Sequence, residues 1–507
     1  MSQSANNKRI VKNTIYLYIR MLLVMGITLY TSRVILHVLG VTDFGIYNVV
    51  GGMATSFTFF SSSLSNATQR FLNVELGKND IAGVNKIFNL SLMLYIVIII
   101  LVIIVAECVG IWLIYNKLVI PAERALAAQW VFHTTIIGLA ITLISSVFDS
   151  VLIARENMKI YAYISIIEVL LKLFIVYCIT LVNFDKLQLY AVLFLLSHML
   201  VKSISVIYCI RNYPECKFRL MWDTFLFGRM FRFIGWNGVG TAVYTINDQG
   251  INVLLNMFFG PIVNAARGVS AQVGSAVNNF SMNFYTAFRP QIVKSYSGKD
   301  YDYFIKLIKA SSRYSFFLMW LLCLPIMLRS EGILQLWLKE VPKYAPQFVQ
   351  WILLYQCVNV LTNPFWSGVQ AIGNLKNYIL IGSSVFLLAF PISYIFLKLG
   401  WNPLIVFQVL VFVRLVYLFV TIFLFRSMIR FSIADYLKKV IAPIVKVFLL
   451  SGITLLCIEP YFSDDLWGIA GITVTSVIIT LICICMLGTS VNERTLIKRK
   501  IHNFINR

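Results

Sequence analysis

Apolar stretches long enough to cross a bilayer recur along the whole chain. A spanning helix needs about 20 consecutive, mostly apolar residues. Fourteen such stretches occur: 14–36, 46–67, 87–113, 127–152, 160–182, 187–210, 231–258, 262–287, 307–328, 345–370, 377–397, 403–425, 440–459 and 465–487. The runs are unbroken, unlike the ~10-residue alternating segments of a transmembrane barrel. They take up over half of the 507 residues and leave little room for a soluble insert. Composition agrees, with 59% hydrophobic and 13% charged residues against roughly 45–50% and 25% in soluble domains. A soluble enzyme, a disordered tail and a disulfide scaffold are excluded. The expected fold class is an all-α polytopic membrane protein with 14 transmembrane helices.

Against this apolar background stand 43 Lys and Arg and only 21 Asp and Glu, a formal net charge of +22. Loop charge sets membrane orientation. With Lys8, Arg9 and Lys12 placed in the cytoplasm and the spans alternating, 29 basic residues fall on the cytoplasmic side, 8 on the outer side and 6 within spans. Both termini are therefore expected in the cytoplasm, the membrane being a bacterial inner membrane. The basic surplus reads as a topology signal and a contact with anionic membrane lipids, with no nucleic acid partner. The first apolar segment is too long for a cleavable signal and contains Arg20 and Arg33. Nine Cys and four His are scattered, and no CxxC pair occurs. They read as packed side chains, with no disulfide and no metal site.

The basic residues within spans are Arg20, Lys172, Lys202, Arg267, Arg414 and Lys446, and the acids there are Glu107, Asp149, Glu168 and Asp248. A charge at mid-bilayer is expensive and turns toward a bundle interior or a watery cavity. Lys446, Asp149 and Glu107 lie near span ends and can snorkel. Glu168 and Lys172, spaced i, i+4, either neutralise each other or serve function, and the spacing leaves both open. Arg20, Lys202, Arg267 and Arg414 are the expected lining of a cationic, substrate-binding cavity. Asp248, Asn252 and Asn256, at i, i+4 and i+8, share a helix face expected to line a polar cavity. Asp248 and Glu168 are the candidates for coupling to a proton or sodium ion, since a buried carboxylate can take up a proton near neutral pH.

The chain also repeats itself. Residues 38–80 read VLGVTDFGIYNVVGG…LGKND and residues 258–300 read FFGPIVNAARGVSAQ…YSGKD. Gly40 aligns with Gly260, and Gly77–Lys78 with Gly298–Lys299. Ala154, Asn157, Lys159 and Tyr161 recur as Ala371, Asn374, Lys376 and Tyr378. The offset equals six spans, so two copies run in the same orientation. Such a parallel repeat places two six-helix bundles about a pseudo-two-fold axis along the membrane normal, with two C-terminal helices added. The expected organisation is a lobe over 1–210, a cytoplasmic linker over 211–230, a second lobe over 231–426, and helices 13–14 with a basic tail over 427–507. Pro364 in the tenth span reads either as a kink or as close packing.

Several of these segments carry a family resemblance. Lys12–Asn13–Thr14, the turn Leu39–Gly40–Val41–Thr42–Asp43–Phe44–Gly45–Ile46–Tyr47, the Arg70…Leu76–Gly77–Lys78 loop and the Ala154…Asn157–Met158–Lys159 loop resemble the polysaccharide flippases of the multidrug/oligosaccharidyl-lipid/polysaccharide exporter superfamily. The resemblance implies a non-enzyme that moves undecaprenyl-diphosphate-linked O-antigen or capsule repeat units from the inner to the outer leaflet. It names a lipid-linked oligosaccharide diphosphate as partner, and a monomer is expected. Arg suits such a cargo because its planar fork binds phosphate bidentately. The multidrug antiporters of the same fold are the first rival, and helix 1 with Arg20, Arg33 and no acid speaks against a cation site there. The lipid II flippases are the second. No phosphate-cradling loop, GxSxG or HExxH motif occurs, so no cofactor is expected and energy must come from an ion gradient or the membrane potential.

Overall fold

The computed structural model describes residues 3–489 apart from 79, 156, 220–222, 287 and 374. Side chains are described from residue 21 onward, apart from those of 77, 158, 233, 236, 237, 239, 240, 283, 284, 286, 290 and 375. Of the described residues 89% are helical, and no strand occurs among them. It forms two compact units, Met1–Ala265 and Ala266–Arg507.

The first unit contains α1 (Gln3–Thr55), α2 (Thr58–Gly77), α3 (Ile81–Asn116), α4 (Ala125–Ala154), α5 (Met158–Thr180), α6 (Lys186–Asn212) and α7 (Thr224–Phe259). α8 (Pro261–Thr286) begins at its end and continues into the second unit. There follow α9 (Arg289–Ser297), α10 (Tyr301–Leu328), α11 (Ser330–Trp337), α12 (Ala345–Asn359), α13 (Asn363–Ile372), α14 (Leu375–Leu387) and α15 (Ala389–Lys398). α16 (Leu404–Met428), α17 (Ile433–Tyr436), α18 (Ala442–Ile458) and α19 (Leu466–Cys483) complete it.

Short polar residues fix where these helices start. Asp80, Asn157, Asp185, Asp223, Asp300 and Asp465 each sit at an N-cap and accept a backbone N–H three residues on, the bond that satisfies an otherwise orphaned donor. The apolar bodies of the helices then pack on one side and face outward on the other. In α3, Ile96, Ile100 and Ile104 are exposed while Tyr95, Ile99 and Val102 are buried. An exposed apolar stripe of this length needs hydrocarbon around it.

The sequence repeat has a backbone counterpart. Gly40 adopts φ 76°, ψ 169° and Gly260 φ 76°, ψ −175°, a conformation that only glycine reaches without strain. It bends α1 at Gly40 and separates α7 from α8. Further on, Asp80 N–H donates to Glu75 O and Asp300 N–H to Ser295 O, the same five-residue closure at the same offset. Asn374, the partner of Asn157 in the last anchor, lies outside the described residues.

Among the described residues, ten helices are long and apolar enough to cross a membrane, against fourteen expected spans. The other four expected spans, 46–67, 231–258, 262–287 and 345–370, are helical but fail for visible reasons. Residues 46–67 are divided between the end of α1 and a Ser- and Asn-rich α2, and α7 and α8 carry repeated polar residues. The last is interrupted by a 3-10 turn at Val360–Thr362, directly before Pro364. Pro364 thus marks a break, as proline within a helix does. The division between units falls after Ala265, and α7 packs along α1 and α2.

Candidate functional site

In the first unit, four of the charges within the expected spans, Asp149, Glu168, Lys172 and Lys202, lie on α4, α5 and α6. Lys202 Nζ on α6 lies 3.1 Å from Asp149 Oδ2 on α4, and Ser205 Oγ donates to Asp149 Oδ1 at 2.7 Å. One turn and a half along, Lys172 Nζ donates to Glu168 Oε1 at 2.7 Å. His198, one turn before Lys202 on α6, places Nδ1 4.0 Å from Glu168 Oε1. Lys202, expected beside a substrate anion, is instead tied to Asp149. Asp149, expected to snorkel, is instead its partner, because α4 and α6 pack closely enough for a direct ion pair. Glu168 and Lys172 pair as their spacing allows.

The Asp248 stripe divides. Asp248 is exposed on α7, while Asn252 and Asn256 are 6% and 0% exposed. Asn252 Nδ2 donates to Asn48 O at 3.0 Å, Asn256 Nδ2 to Asn264 Oδ1 at 3.0 Å, and Asn264 Nδ2 to Asn252 Oδ1 at 2.8 Å. Val119 N–H donates to Asn256 Oδ1 at 2.8 Å. Asn252 and Asn256 were expected to line a polar cavity. They form an amide cluster that holds α7 to α1 and to the first turn of α8, because carboxamides carry both donors and acceptors.

The ends of α4 are fixed by arginines. Arg124, before its first turn, pairs with Asp43 in α1 and with Asp185 at the N-cap of α6. Burial of Asp185 opposes its ionisation, yet the Gln188 N–H and the Arg124 guanidinium outweigh it and hold its carboxyl below the ordinary value. Arg155, after the last turn, donates through Nε to the wholly buried Glu215 at 2.8 Å. Glu215 O and Lys217 O in turn accept from Asn85 on α3, so the segment after α6 is held against α3.

In the second unit, Arg267 on α8 and Arg414 on α16 are 8% and 6% exposed. Arg414 donates to Asn359 Oδ1 and, at 2.9 Å, to Thr362 Oγ1. Both acceptors lie at the break between α12 and α13. Tyr417 stacks on the guanidinium at 4.6 Å, with Tyr355 and Phe386 at 5.9 Å. A guanidinium among aromatic faces and neutral oxygens is a geometry suited to a delocalised cation. The side chain of Arg20 lies outside the described residues.

Sequence reasoning did not single out Asn264 and Asn359, and it read His198 as packing and Asp149 as snorkelling. A signal existed for His198: Glu168–Lys172 and His198–Lys202 are two i, i+4 polar pairs on consecutive apolar helices. Among the described residues no group of three or more His, Cys, Asp or Glu is arranged to hold a metal ion, and the nine cysteines are unbridged.

No family model and no curated protein matches the chain. Solved structures do. The lipid II flippase MurJ in an inward closed conformation is 13% identical, covering 93% of this chain and 98% of that chain with a TM-score of 0.67. An inward-facing multidrug resistance MATE family transporter of the MOP superfamily is 14% identical, covering 80% and 93% with a TM-score of 0.62. A MOP superfamily transporter from Pyrococcus furiosus, described as having a binding pocket of reversed polarity, is 15% identical, covering 84% and 96% with a TM-score of 0.61. At these identities the likeness is one of architecture: the chain shares the fold of these solved structures.

Proposed function

We propose that this chain is a flippase that carries an undecaprenyl-diphosphate-linked oligosaccharide, an O-antigen or capsule repeat unit, from the inner to the outer leaflet of the cytoplasmic membrane by alternating access. The observation that carries the reading is the pair of buried guanidiniums, Arg267 and Arg414, in a fold shared with a lipid II flippase. A diphosphate headgroup must cross hydrocarbon, and a charge-assisted, bidentate donor offsets its desolvation. Arg20 remains a proposed substrate contact in its own right, while Lys202 is assigned to the Asp149 pair. The polar helices α2, α7 and α8 support the same reading. Their Ser, Asn and Gln residues are unsuited to lipid on all sides, so protein or water must cover them. Fourteen crossings, both termini in the cytoplasm and a monomeric state belong to this proposal, as does energy from an ion gradient with Asp248 exposed on α7 as one candidate ion site.

The likeness to MurJ favours one second reading, lipid II itself as cargo. Complementation separates the two. A strain lacking its O-antigen flippase is expected to regain surface glycan with this chain, and to lose it again with Arg267→Ala at equal protein level. Rescue of a lipid II flippase deletion without rescue of surface glycan would transfer the assignment to lipid II. Full surface glycan with Arg267→Ala and Arg20→Ala combined would remove the cationic cavity from the account.

A further inference from the structure

His198 has a hydrogen-bonding arrangement that bears on which of its nitrogens holds hydrogen. Thr142 Oγ1 lies 2.8 Å from Gly138 O, to which it donates as helical threonines do. The same oxygen lies 2.7 Å from His198 Nε2, and while its proton is on Gly138 O it accepts there. In that arrangement Nε2 carries hydrogen, and in the neutral ring Nδ1 is a bare lone pair. That Nδ1 is buried and has no hydrogen-bond partner. It faces Glu168 Oε1 at 4.0 Å, and this oxygen already accepts from Lys172 Nζ at 2.7 Å. Phe194 stacks on the imidazole at 6.4 Å, and Lys172 Nζ lies 5.1 Å from the other ring.

A buried acceptor with no donor is unfavourable. One proton converts it into a donor beside a carboxylate, a charge-assisted pair. The surrounding charges otherwise cancel, with Glu168 and Lys172 on α5, Asp149 on α4 and Lys202 on α6 itself. Other titratable groups on the packed helices are engaged elsewhere. Tyr47 and Tyr30 of α1 meet Tyr190 and Tyr177, more than two turns from His198 and Glu168, and Glu107 of α3 meets His133 farther along α4.

We propose that His198 Nδ1 is the proton-binding site through which a pH gradient acts on this protein. Glu168 is its counter-ion, and Thr142 is the positioning residue that sets the tautomer. The coupling role rests on the transporter reading; the binding site does not. Protonation takes the cluster from neutral to +1 and draws Nδ1–H from 4.0 Å toward hydrogen-bond distance, about 2.8 Å, of the oxygen that Lys172 holds. Since His198 is on α6 and both Glu168 and Lys172 are on α5, proton uptake exchanges one partner of Glu168 for another and tightens α6 on α5. Glu168 thereby acts as the anchor for a proton carried by the imidazole.

The test uses the full-length protein in lipid nanodiscs with 15N-labelled histidine. There are four histidines in the chain, and His198→Gln, whose amide can still donate to Thr142, assigns the signal. In the neutral form we expect hydrogen on Nε2 and a bare Nδ1, with Nδ1 gaining a proton as the pH is lowered across the physiological range. Glu168→Gln is expected to leave Nδ1 bare over the same range, and Thr142→Val to mix the tautomers. Should His198→Gln fail to fold, the signal that changes in Thr142→Val supplies the assignment. Hydrogen on Nδ1 in the neutral form, a ring that never titrates in this range, or identical titration in Glu168→Gln would each overturn the site. Cargo movement driven by an imposed pH difference in vesicles is expected to lose that dependence in His198→Gln. Unchanged dependence would overturn the coupling role. Absence of any cargo movement by the unaltered protein would refute the flippase reading and leave the proton site to stand on the histidine signals.

Discussion

Removing Lys202 while keeping Asp149 isolates the role of the cross-helix pair. The two charges lie 3.1 Å apart, with side chains 16% and 17% exposed. At an effective dielectric of about 20, their gross attraction is about 5 kcal/mol. Taking both out of water offsets much of this, so the pair as a whole adds little. Removing one partner is different, because the other charge stays buried with only Ser205 to solvate it. Such broken pairs lose about 3–5 kcal/mol. Lys202→Met is isosteric apart from the charge and is expected to destabilise the first unit by that amount, equivalent to a Tm lower by about 6–10 °C at roughly 2 °C per kcal/mol. Adding Asp149→Asn removes the stranded charge and is expected to restore most of the loss. The assay is thermal unfolding in detergent of the unaltered protein, the two single variants and the double variant, read as a double-mutant cycle. A Lys202→Met protein as stable as the unaltered one, or a double variant worse than either single one, would refute the argument that the pair is buried and mutually dependent.

Gly45→Ala would place a Cβ 1.8 Å from the Pro261 carbonyl oxygen, so α1 and the start of α8 must separate; a lower unfolding temperature checks it. Gly110→Val is expected to destabilise the first unit more than Gly26→Val, since a Cβ at Gly110 meets the Phe132 ring at 1.9 Å and one at Gly26 meets nothing within 4 Å. Asn157→Ala removes an N-cap acceptor and the donor to the Tyr208 and Tyr213 hydroxyls, a loss of about 1 kcal/mol from the cap alone, measurable by the same unfolding. For Asp185, whose folded carboxyl titrates below the ordinary 3.8, the sign follows from linkage. Its stabilisation is present above about pH 4 and is lost as pH falls through the lower folded value. Asp185→Asn is expected to flatten that acid limb of the stability profile.

The fold was largely legible in the sequence because hydrocarbon imposes a strong length rule, and ten of the expected spans meet it in the structure. The four that do not were legible as helices but not as breaks or polar surfaces, since hydropathy averaging hides a 3-10 turn such as Val360–Thr362. Gly40 and Gly260 were legible as a repeat because a positive φ restricts the residue to glycine. The charged residues were harder. Periodicity places Asp149 and Lys202 each on a face of its own helix, but which faces meet depends on helix rotation and crossing. These are set by packing between segments 53 residues apart. For the same reason the helix face shared by Asn252 and Asn256 does not reveal in sequence that Asn264 bonds to both. Arg414 was legible as a buried cation, while its acceptors Asn359 and Thr362 became visible only at the break that presents them.

The central claim is that this chain moves an anionic, lipid-linked sugar across a bilayer. The most direct measurement is translocation of a fluorescent polyprenyl-diphosphate oligosaccharide in vesicles containing the purified protein, read by quenching from outside. The account predicts accelerated flipping that falls about tenfold or more in Arg267→Ala, as loss of a hydrogen bond to a charged group worth roughly 1.5–3 kcal/mol requires. Flipping no faster than in protein-free vesicles, or a rate unaffected by Arg267→Ala together with uptake of cationic drugs by the unaltered protein, would contradict it.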